Sequence, residues 1–247
     1  MLKTLETIAK KSGNIILKYY NTLAIEIKIK SDGSPVTKAD SQSEQYIVSQ
    51  LNKHFNYPIV TEETPIEYKE RKKWNKYWLV DPLDGTEDFI ERNDEFTINI
   101  ALMQNNKPFL GLVYAPALNL IYTGKVGSGS MKNGKPIYNH SERKNFIGAD
   151  SRHNSSTETK NFFLRKNISK VLRIGSSLKL CSLAEGLIDV YPRFNGTKEW
   201  DTAAAHIICK EAGCKILDIK TKKELVYNKE SIRNNFFIAS RNNLSFL

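Results

Sequence analysis

The sequence predicts an α+β fold over its first half and an α/β fold over its second half, stacked as layers of sheet and helix. Between residues 96 and 134, apolar residues alternate with polar ones in runs joined by short turns, which is typical of an antiparallel meander. From about residue 146, strand-like and helix-like patterns alternate, as in a mixed α/β layer. No flexible linker separates the parts, so we predict one compact unit with halves 1–145 and 146–247.

The N-terminal region is predicted to contain two helices with a strand between them. Thr37 and Asp40 have the spacing of a capping box, so the second helix should open there and run to about Phe55. Residues 25–29 alternate isoleucine with charged residues, which predicts a half-buried strand followed by a polar loop at 31–35. The first helix should bury the face formed by Leu5, Ile8, Ala9, Ser12, Ile15, Ile16 and Tyr19.

Apolar runs between turn residues predict the remaining elements. Residues 58–61 read as a short strand that ends at Glu62 and Glu63, and residues 77–80 read as a buried strand. The meander strands are predicted at 96–102, 109–114 and 120–123, with the glycine-rich segment to residue 134 extending them. Later strands are predicted at 146–150, 171–174, 187–191, 215–218 and 236–240, and helices at 157–166, 178–185 and 202–212.

The composition is that of a globular protein, with 40% hydrophobic and 26% charged residues among 247. No apolar stretch approaches the ~18 residues of a membrane span, and the N-terminus does not resemble a signal peptide. We therefore expect a cytoplasmic protein without a transmembrane segment; peripheral contact with the inner face of the membrane, and a monomer or a homodimer, stay open. Three cysteines without metal-binding spacing are expected to be reduced, buried thiols.

The formal net charge of +10 raises the question of nucleic-acid binding. The lysines are scattered along the chain, however, and no recognised nucleic-acid motif accompanies them. We therefore predict no nucleic-acid partner, and interpret the charge as compositional bias together with a general attraction for anionic ligands.

One segment carries most of the chemical information. The apolar run 77–80 leads into Asp81-Pro82-Leu83-Asp84-Gly85-Thr86, where Pro82 and Gly85 are expected to stop the strand and force a turn. Two carboxylates three residues apart at a strand end favour Mg²⁺, which binds oxygen ligands. A helix that begins after the turn would add an anion-binding amide end. A capped turn without a metal would produce the same residues, so this alternative stays open.

Acids at the ends of other elements strengthen the chemical interpretation. Asp201 precedes an alanine-rich helix, where its ordinary role would be an N-cap, and Asp40 has an ordinary role in the capping box. Taken together in a basic chain, these acids are expected to converge on one cleft. The four histidines lack metal-binding spacing, and none is predicted as a ligand. The predicted acidic positions are Asp40, Glu62, Glu63, Asp81, Asp84 and Asp201.

The chain resembles the inositol monophosphatase superfamily of Mg²⁺-dependent, lithium-sensitive phosphatases. The resemblance lies in the Asp-Pro-x-Asp-Gly-Thr-x-x-Phe turn at Asp81–Phe89, in Trp200-Asp201, in Glu62-Glu63 and in the Thr-x-x-Asp of Thr37–Asp40. Order and spacing agree over essentially the whole chain, which implies an inositol monophosphatase-like layered sandwich.

Within the superfamily, the sequence is most similar to the 3′(2′),5′-bisphosphate nucleotidases. Gly175–Lys179 and Tyr191–Phe194 are two of the stretches that extend this likeness beyond the metal ligands. One departure is visible, because Glu87-Asp88 stands where that branch often has Lys-Glu. This exchange bears on anion recognition rather than on the metal site.

The resemblance implies a role for each site residue. Thr86 paired with Asp40 would orient the attacking water, and Glu63 would act beside the metals. Two or three Mg²⁺ ions would be held by Glu62, Asp81, the Leu83 carbonyl, Asp84 and Asp201. Substrate contacts are implied for Glu62, Leu83, Asp84, Gly85, Thr86, Asp201, Ser176, Lys179 and Arg193, the last two with the 5′-phosphate.

The implied reaction is removal of the 3′-phosphate of adenosine 3′,5′-bisphosphate in sulfur assimilation, with the 3′-phosphorylated adenylyl sulfate as a second substrate. Tyr191 and the segment Ser151-Arg152-His153 would lie near the nucleotide, although Tyr191 would also be explained as core and Lys179 as a solvated residue at a helix start. The alternatives are an inositol phosphate or fructose bisphosphate as substrate and, from another class, a non-catalytic nucleotide-binding or nucleic-acid-binding protein.

Overall fold

The computed structural model describes residues 1–23, 25–30, 33 and 35–246. Of the polar loop predicted over 31–35, Ser31, Asp32 and Ser34 lie outside this range. The helices are α1 (Leu2–Tyr20), α2 (Lys38–His54), α3 (Tyr68–Arg71), α4 (Thr86–Glu91), α5 (Thr157–Arg165), α6 (Leu178–Ala184) and α7 (Glu199–Glu211). The strands are β1 (Ile27–Ile29), β2 (Pro35–Thr37), β3 (Ile59–Thr61), β4 (Lys76–Asp84), β5 (Thr97–Gln104), β6 (Lys107–Ala115), β7 (Leu120–Lys125), β8 (Gly129–Lys132), β9 (Lys135–Ile137), β10 (Ile147–Ser151), β11 (Lys170–Ile174), β12 (Val190–Arg193), β13 (Cys214–Asp218) and β14 (Phe237–Arg241).

A seven-stranded sheet forms the centre of the first half, in the order β3-β4-β5-β6-β7-β8-β9. The strands from β4 to β9 pair antiparallel with their sequence neighbours, which confirms the predicted meander. Only the edge pair β3–β4 is parallel among the described strands of this sheet. The parallel pair brings the carboxyl ends of β3 and β4 to the same side, and the predicted acids lie there.

Helices α1 and α2 cover one face of this sheet. The predicted capping box is confirmed, because the Thr37 side chain accepts from a helix amide while the Asp40 carboxylate accepts from the Thr37 amide. Helix α1 buries Leu5, Ile8 and Ile16 as its spacing predicts. These side chains join apolar residues of β4 to β7 in one core cluster.

The strand predicted at residues 25–29 is present as β1, but the prediction that it is half-buried is wrong. Among the described residues, strand β1 pairs with β2 alone in a two-stranded antiparallel ribbon, and no described core cluster covers Ile27 and Ile29. Ile29 keeps 68% of its surface exposed and Ile27 keeps 44%. Alternation of apolar and charged residues predicts a strand correctly, but burial also requires a packed layer against one face.

The second half contains a five-stranded mixed sheet in the order β11-β10-β12-β14-β13. β10 pairs parallel with β11 and β12, whereas β14 pairs antiparallel with β12 and β13. The predicted mixed α/β half is thus confirmed. The strand expected at 187–191 begins later, at Val190, because Gly186 adopts a positive φ of 74° and the Leu187 amide still donates to the Ser182 carbonyl at the end of α6.

Helices α6 and α7 lie between the two sheets. Their buried side chains share one core cluster with residues of both sheets, which makes the fold a layered sandwich as predicted. All three cysteines are buried and free, as expected. None of the helices in the described ranges is long and apolar enough to span a lipid bilayer.

Candidate active site

The strand that carries the acidic motif continues further than the sequence suggests. Pro82 does not end β4, which runs to Asp84. The register shifts between Asp81, which faces Asn99, and Asp84, which faces Thr97. Two residues of β4 therefore lie opposite one residue of β5, and such a bulge accommodates a proline that cannot donate to the ladder. The bulge also bends the strand end where the carboxylates lie.

Gly85 converts this strand end into a helix start. Its φ of 86° is left-handed, a conformation that glycine adopts without a steric penalty. Helix α4 then begins at Thr86, which confirms the predicted helix after the turn. A Cβ on Gly85 would lie 3.0 Å from the Asp88 carboxylate and 3.2 Å from the Ser176 Cβ. The glycine therefore also permits close approach of the turn that contains Ser176.

Asp201 reaches the same place from helix α7. The helix begins at Glu199, earlier than predicted, so Asp201 is its third residue rather than its N-cap. Its Oδ2 accepts from the Lys198 amide at 2.8 Å. One carboxylate oxygen from each of Asp81, Asp84 and Asp201 lies within 4.8 Å of the others. Three converging carboxylates form the all-oxygen donor set that Mg²⁺ prefers.

Burial and mutual repulsion make this acid cluster unfavourable without cations. Burial raises the pKa of Asp81 well above its ordinary value, and the charges of Glu62, Asp84 and Asp201 raise it further. The pKa of Asp201 is raised for the same reasons, with burial first. Burial also raises the pKa of Asp84, although hydrogen bonds to it act in the opposite direction. Bound cations would relieve this repulsion.

A buried polar network that sequence reasoning missed fixes the orientation of Asp84. Its Oδ2 accepts from the Ser177 amide at 2.7 Å and from the Asn99 side-chain amide at 3.3 Å. The Ser177 hydroxyl in turn donates to Asn99 Oδ1 at 2.8 Å and lies 2.8 Å from the Thr97 hydroxyl. The network joins β5 to the turn before α6, and it links the acid cluster to the opposite wall of the cleft.

Glu62 and Glu63 follow β3, as predicted, and share a cation that was not predicted. The Lys30 ammonium lies 2.7 Å from Glu62 Oε1 and 2.6 Å from Glu63 Oε1. Burial lowers the pKa of Lys30, but the two carboxylates outweigh it and raise the pKa overall. Glu62 lines the same cavity as Asp81 but is not part of the closest carboxylate group. No local signal in the sequence distinguishes Lys30 from other lysines.

Thr86 and Asp40 come together as the resemblance implies. The Thr86 hydroxyl donates to Asp40 Oδ1 at 3.2 Å, and Asp40 Oδ2 accepts from the Thr37 amide at 2.8 Å. The hydroxyl also lies 3.5 Å from the Leu83 carbonyl. Burial raises the pKa of Asp40, whereas the hydrogen bonds from Thr37 lower it. The capping box therefore holds the carboxylate that orients Thr86.

Glu62, Asp81, Asp84, Thr86 and Asp201 line one cleft of about 460 Å³, whereas Asp40 and Glu63 are not among its described lining residues. Of the residues expected near a nucleotide, Ser151, His153 and Tyr191 line this cleft, whereas Arg152 pairs with Glu95. Tyr191 is also part of the core and packs edge-on against a phenylalanine. Its position fits both interpretations that the sequence left open.

Ser176, Lys179 and Arg193 also line the cleft. Ser176 has a positive φ of 40°, and within the described residues its buried hydroxyl has no hydrogen-bond partner. The Lys179 ammonium donates to two backbone carbonyls, at 2.6 and 3.1 Å. Burial lowers the pKa of Lys179 to about 8, and Arg193 contributes in the same direction.

Arg193 is held more completely than Lys179. Its guanidinium donates to the carbonyls of Asn154, Asn195 and Gly196 at 3.1–3.3 Å, and it is only 8% exposed. Three of its five N–H groups are therefore engaged by the protein. Both residues predicted to contact the 5′-phosphate thus also support the loops around them.

The acidic pair that departs from the nucleotidase pattern has two different environments. Both residues line the cleft, but Glu87 is exposed whereas Asp88 is buried. Asp88 Oδ1 lies 2.9 Å from His153 Nε2 and accepts from Asn93 at 2.6 Å. A Cβ on Gly175 would lie 2.5 Å from the Asp88 carboxylate. Asp88 thus helps to hold the wall of the cleft, while Glu87 adds a negative charge to its lining.

The layered fold and the acidic cleft define a member of the inositol monophosphatase family. The sequence profile of that family matches residues 1–244, and the chain belongs to it. The resemblance seen in the sequence is thereby confirmed.

Individual relatives identify the branch. The chain is 38% identical over 245 residues to the 3′(2′),5′-bisphosphate nucleotidase CysQ of Escherichia coli K12, a match that covers 97% of this chain and 99% of the relative. The crystal structure of CysQ from Bacteroides thetaiotaomicron superposes with a TM-score of 0.86 at 37% identity, covering 96% of this chain and 95% of that one. A Thermotoga maritima IMPase gives a TM-score of 0.81 at 28% identity, covering 97% and 91%.

Proposed function

We propose that the protein is a Mg²⁺-dependent 3′(2′),5′-bisphosphate nucleotidase that hydrolyses adenosine 3′,5′-bisphosphate to AMP and inorganic phosphate. The observation that carries the proposal is one cleft that contains both the carboxylates Asp81, Asp84 and Asp201 and the buried cations Lys179 and Arg193. A substrate with two phosphate groups needs carboxylates that hold metal ions at the reacting phosphate and cationic side chains at the other phosphate. The similarity over the full length of the E. coli nucleotidase supports the same substrate.

The residues that would hold the metal ions are all oxygen donors. Asp81, Asp84 and Asp201 form the centre of the site, and Glu62 and the Leu83 carbonyl extend it, which suits two or three ions. Bound Mg²⁺ would neutralise the acid cluster, polarise the phosphoryl group and increase the acidity of the attacking water.

Thr86 and Asp40 would orient the attacking water. Because the Thr86 hydroxyl donates its proton to Asp40, its lone pairs are available to accept a hydrogen bond from water. The water is thereby aligned for attack on phosphorus, and its proton can pass through the hydroxyl to the carboxylate. Glu63 lies next to Glu62 and would help to position it, because both carboxylates contact the Lys30 ammonium.

A substrate panel tests the assignment directly. Phosphate release would be measured with adenosine 3′,5′-bisphosphate, inositol 1-phosphate and fructose 1,6-bisphosphate, each with and without Mg²⁺. The proposal expects Mg²⁺-dependent hydrolysis with the nucleotide preferred. Preference for a sugar phosphate would keep the mechanism and reject the substrate, and absence of hydrolysis on all three would favour a binding protein.

Substitution of Thr86 separates water orientation from metal binding. Thr86→Ala is expected to lower kcat by about 100-fold or more, the usual scale for a proton-transfer group. Thr86→Ser keeps the hydroxyl and should remain within about 10-fold of the natural protein. The Mg²⁺ concentration for half-maximal activity should stay the same in both variants. Equal losses in the alanine and serine variants would contradict a role for the hydroxyl.

The proposed setting is the cytoplasm. Three free, buried thiols are typical of a reducing compartment. The partner would be a small nucleotide bisphosphate, and its production during sulfate assimilation would require such an enzyme for recycling. The 3′-phosphorylated adenylyl sulfate shares the reacting 3′-phosphate and is included in the proposal as a second substrate.

A further inference from the structure

Among the residues that the structure describes, four lysine and arginine side chains line the cleft, and they are not equivalent. Lys179 and Arg193 are buried and donate to backbone carbonyls. Lys198 and Arg233 lie further out and face each other across an isolated antiparallel bridge. This bridge fixes the positions of both residues at the rim of the cleft, beside the first turn of α7.

Arg233 differs from the other three in its bonding. In the part of the chain that the structure describes, its guanidinium makes no hydrogen bond and no ion pair. The residue is exposed but lines the cleft. Five N–H donors are therefore available on this group for a ligand.

Gly196 provides the surface on which this guanidinium lies. A Cβ on Gly196 would lie 3.0 Å from Arg233 Nη2, 3.2 Å from its Cζ and 3.3 Å from its Nε. The three nearest atoms to such a Cβ all belong to the guanidinium, so this group packs closely against the glycine. The carbonyl of the same glycine accepts from Arg193 at 3.2 Å. Arg233 is therefore positioned next to the buried cation that the proposed function assigns to the 5′ end of the substrate.

We propose that Arg233, seated on Gly196, is a specificity-determining residue that binds the 5′-phosphoryl anion of the nucleotide. The inference rests on the proposed function, because it identifies which end of that substrate the rim of the cleft recognises. A guanidinium matches a phosphate in a two-pronged arrangement, and an unengaged one can do so without breaking bonds in the protein. Arg193, which already donates to three carbonyls, would add its positive charge to the same 5′ end while it supports the loop beneath Arg233.

The distribution of charge in the cleft supports the assignment of Arg233 to the 5′-phosphate. The acid cluster repels a free anion, and Glu87 adds a further negative charge to the lining. The 5′-phosphate therefore needs a cation away from the carboxylates. Arg233 has no carboxylate within salt-bridge distance among the described residues, so its charge is available to the ligand.

The test compares two substrates that differ only in the 5′ group. Steady-state kinetics would be measured for Arg233→Gln and the natural protein, with adenosine 3′,5′-bisphosphate and with adenosine 3′-monophosphate. The variant is expected to raise KM for the bisphosphate by about 10- to 100-fold, the scale of a charge-assisted contact, with little change in kcat. KM for the monophosphate should stay within about twofold, because the lost contact does not exist there.

Further variants exclude an indirect effect. Arg233→Lys keeps the charge but not the planar fork and should give an intermediate KM. Gly196→Val inserts a side chain where the guanidinium lies and should also raise KM for the bisphosphate selectively. Arg165→Gln removes an exposed arginine outside the cleft and should change neither substrate. Calorimetric binding of AMP, which retains the 5′-phosphate, should weaken in the Arg233→Gln variant by the same factor.

The outcomes separate the two proposals. If the natural protein hydrolyses both nucleotides and Arg233→Gln lowers kcat/KM equally for both or for neither, the assignment of Arg233 is overturned and the proposed function stands. If the natural protein hydrolyses neither nucleotide, the proposed function fails and the inference fails with it. A lower kcat/KM for the bisphosphate alone, together with weaker binding of AMP, supports both the proposed function and the role of Arg233.

Discussion

Replacement of Asp84 by asparagine is expected to abolish Mg²⁺-dependent phosphate release while leaving the protein folded. Asp84 contributes one of three carboxylates whose oxygens lie within 4.8 Å of one another. An amide has the shape of a carboxylate but no charge, and it is a poorer ligand for Mg²⁺. Loss of groups that merely orient a ligand costs 10- to 100-fold, so loss of the ligand itself should lower turnover by at least about 100-fold.

The same substitution should leave the fold intact for a geometric reason. Both the Ser177 amide and the Asn99 side chain donate to the same oxygen of Asp84, Oδ2. An asparagine can place its carbonyl oxygen there and direct its NH₂ group towards the other acids. The buried donors therefore keep an acceptor, and no unsatisfied group is created.

Stability without metal should even increase. Burial raises the pKa of Asp84, so the ionised carboxylate destabilises the folded state relative to the unfolded chain. A raised pKa means that this loss appears as pH rises from the unfolded pKa of ~4 through the folded pKa. At neutral pH the asparagine variant should therefore unfold at a higher temperature than the metal-free natural protein.

Three measurements on the Asp84→Asn variant test these expectations: phosphate release, Mg²⁺ titration, and thermal unfolding with and without Mg²⁺. Mg²⁺ should stabilise the natural protein and have little effect on the variant. Glu211→Gln makes the same chemical change on helix α7, outside the cleft, and should behave like the natural protein. Full activity in the Asp84→Asn variant would refute the metal assignment.

Elements with a local signal were predictable from the sequence. The capping box at Thr37 determines the start of α2, and the turn at Asn105-Asn106, where both residues have positive φ, joins two alternating strands. The acids were predictable for the same reason, since each lies at the end of an element whose pattern is strong. What brings them together is the parallel pairing of β3 with β4 and the packing of α7.

Features that depend on distant partners were not predictable. Pro82 is tolerated within β4 because β5 pairs on both sides of a bulge, and a proline in sequence alone predicts a strand end. Asn99 is one polar residue in an apolar strand, and its role depends on Asp84 and Ser177, which are 15 and 78 residues away. Lys30 and Arg233 likewise acquire their positions from tertiary contacts that leave no periodic pattern.

The position of Asp201 depends on close packing of helix α7 against the first sheet. A Cβ on Gly111 of β6 would lie 2.2 Å from the Ala204 carbonyl oxygen and 2.6 Å from Ile207 Cγ2. A Cβ on Gly124 of β7 would lie 2.8 Å from the Ile208 Cα. The two glycines thus allow the helix backbone to contact the strands directly. Asp201, one turn before Ala204, is held at the cleft by this contact.

We therefore expect Gly111→Ala to destabilise the protein strongly. The added methyl group meets a backbone carbonyl, which cannot rotate away as a side chain can, so the helix must move. Overpacking of this kind typically lowers the free energy of unfolding by about 1–3 kcal/mol and occasionally by more. Because the added methyl group meets backbone rather than a side chain, we expect a loss of about 3 kcal/mol or more for Gly111→Ala. Displacement of α7 should also move Asp201, so Mg²⁺ affinity should fall in whatever fraction remains folded.

Urea unfolding and Mg²⁺ titration would measure the two effects separately. Gly127→Ala is the matched control, because a Cβ there meets nothing within 4 Å and only the positive φ of 70° opposes the substitution. That strain should cost about 1–2 kcal/mol without any change in Mg²⁺ affinity. Equal destabilisation by the two alanines, or unchanged metal affinity in Gly111→Ala, would mean that the sheet does not position Asp201 through this contact.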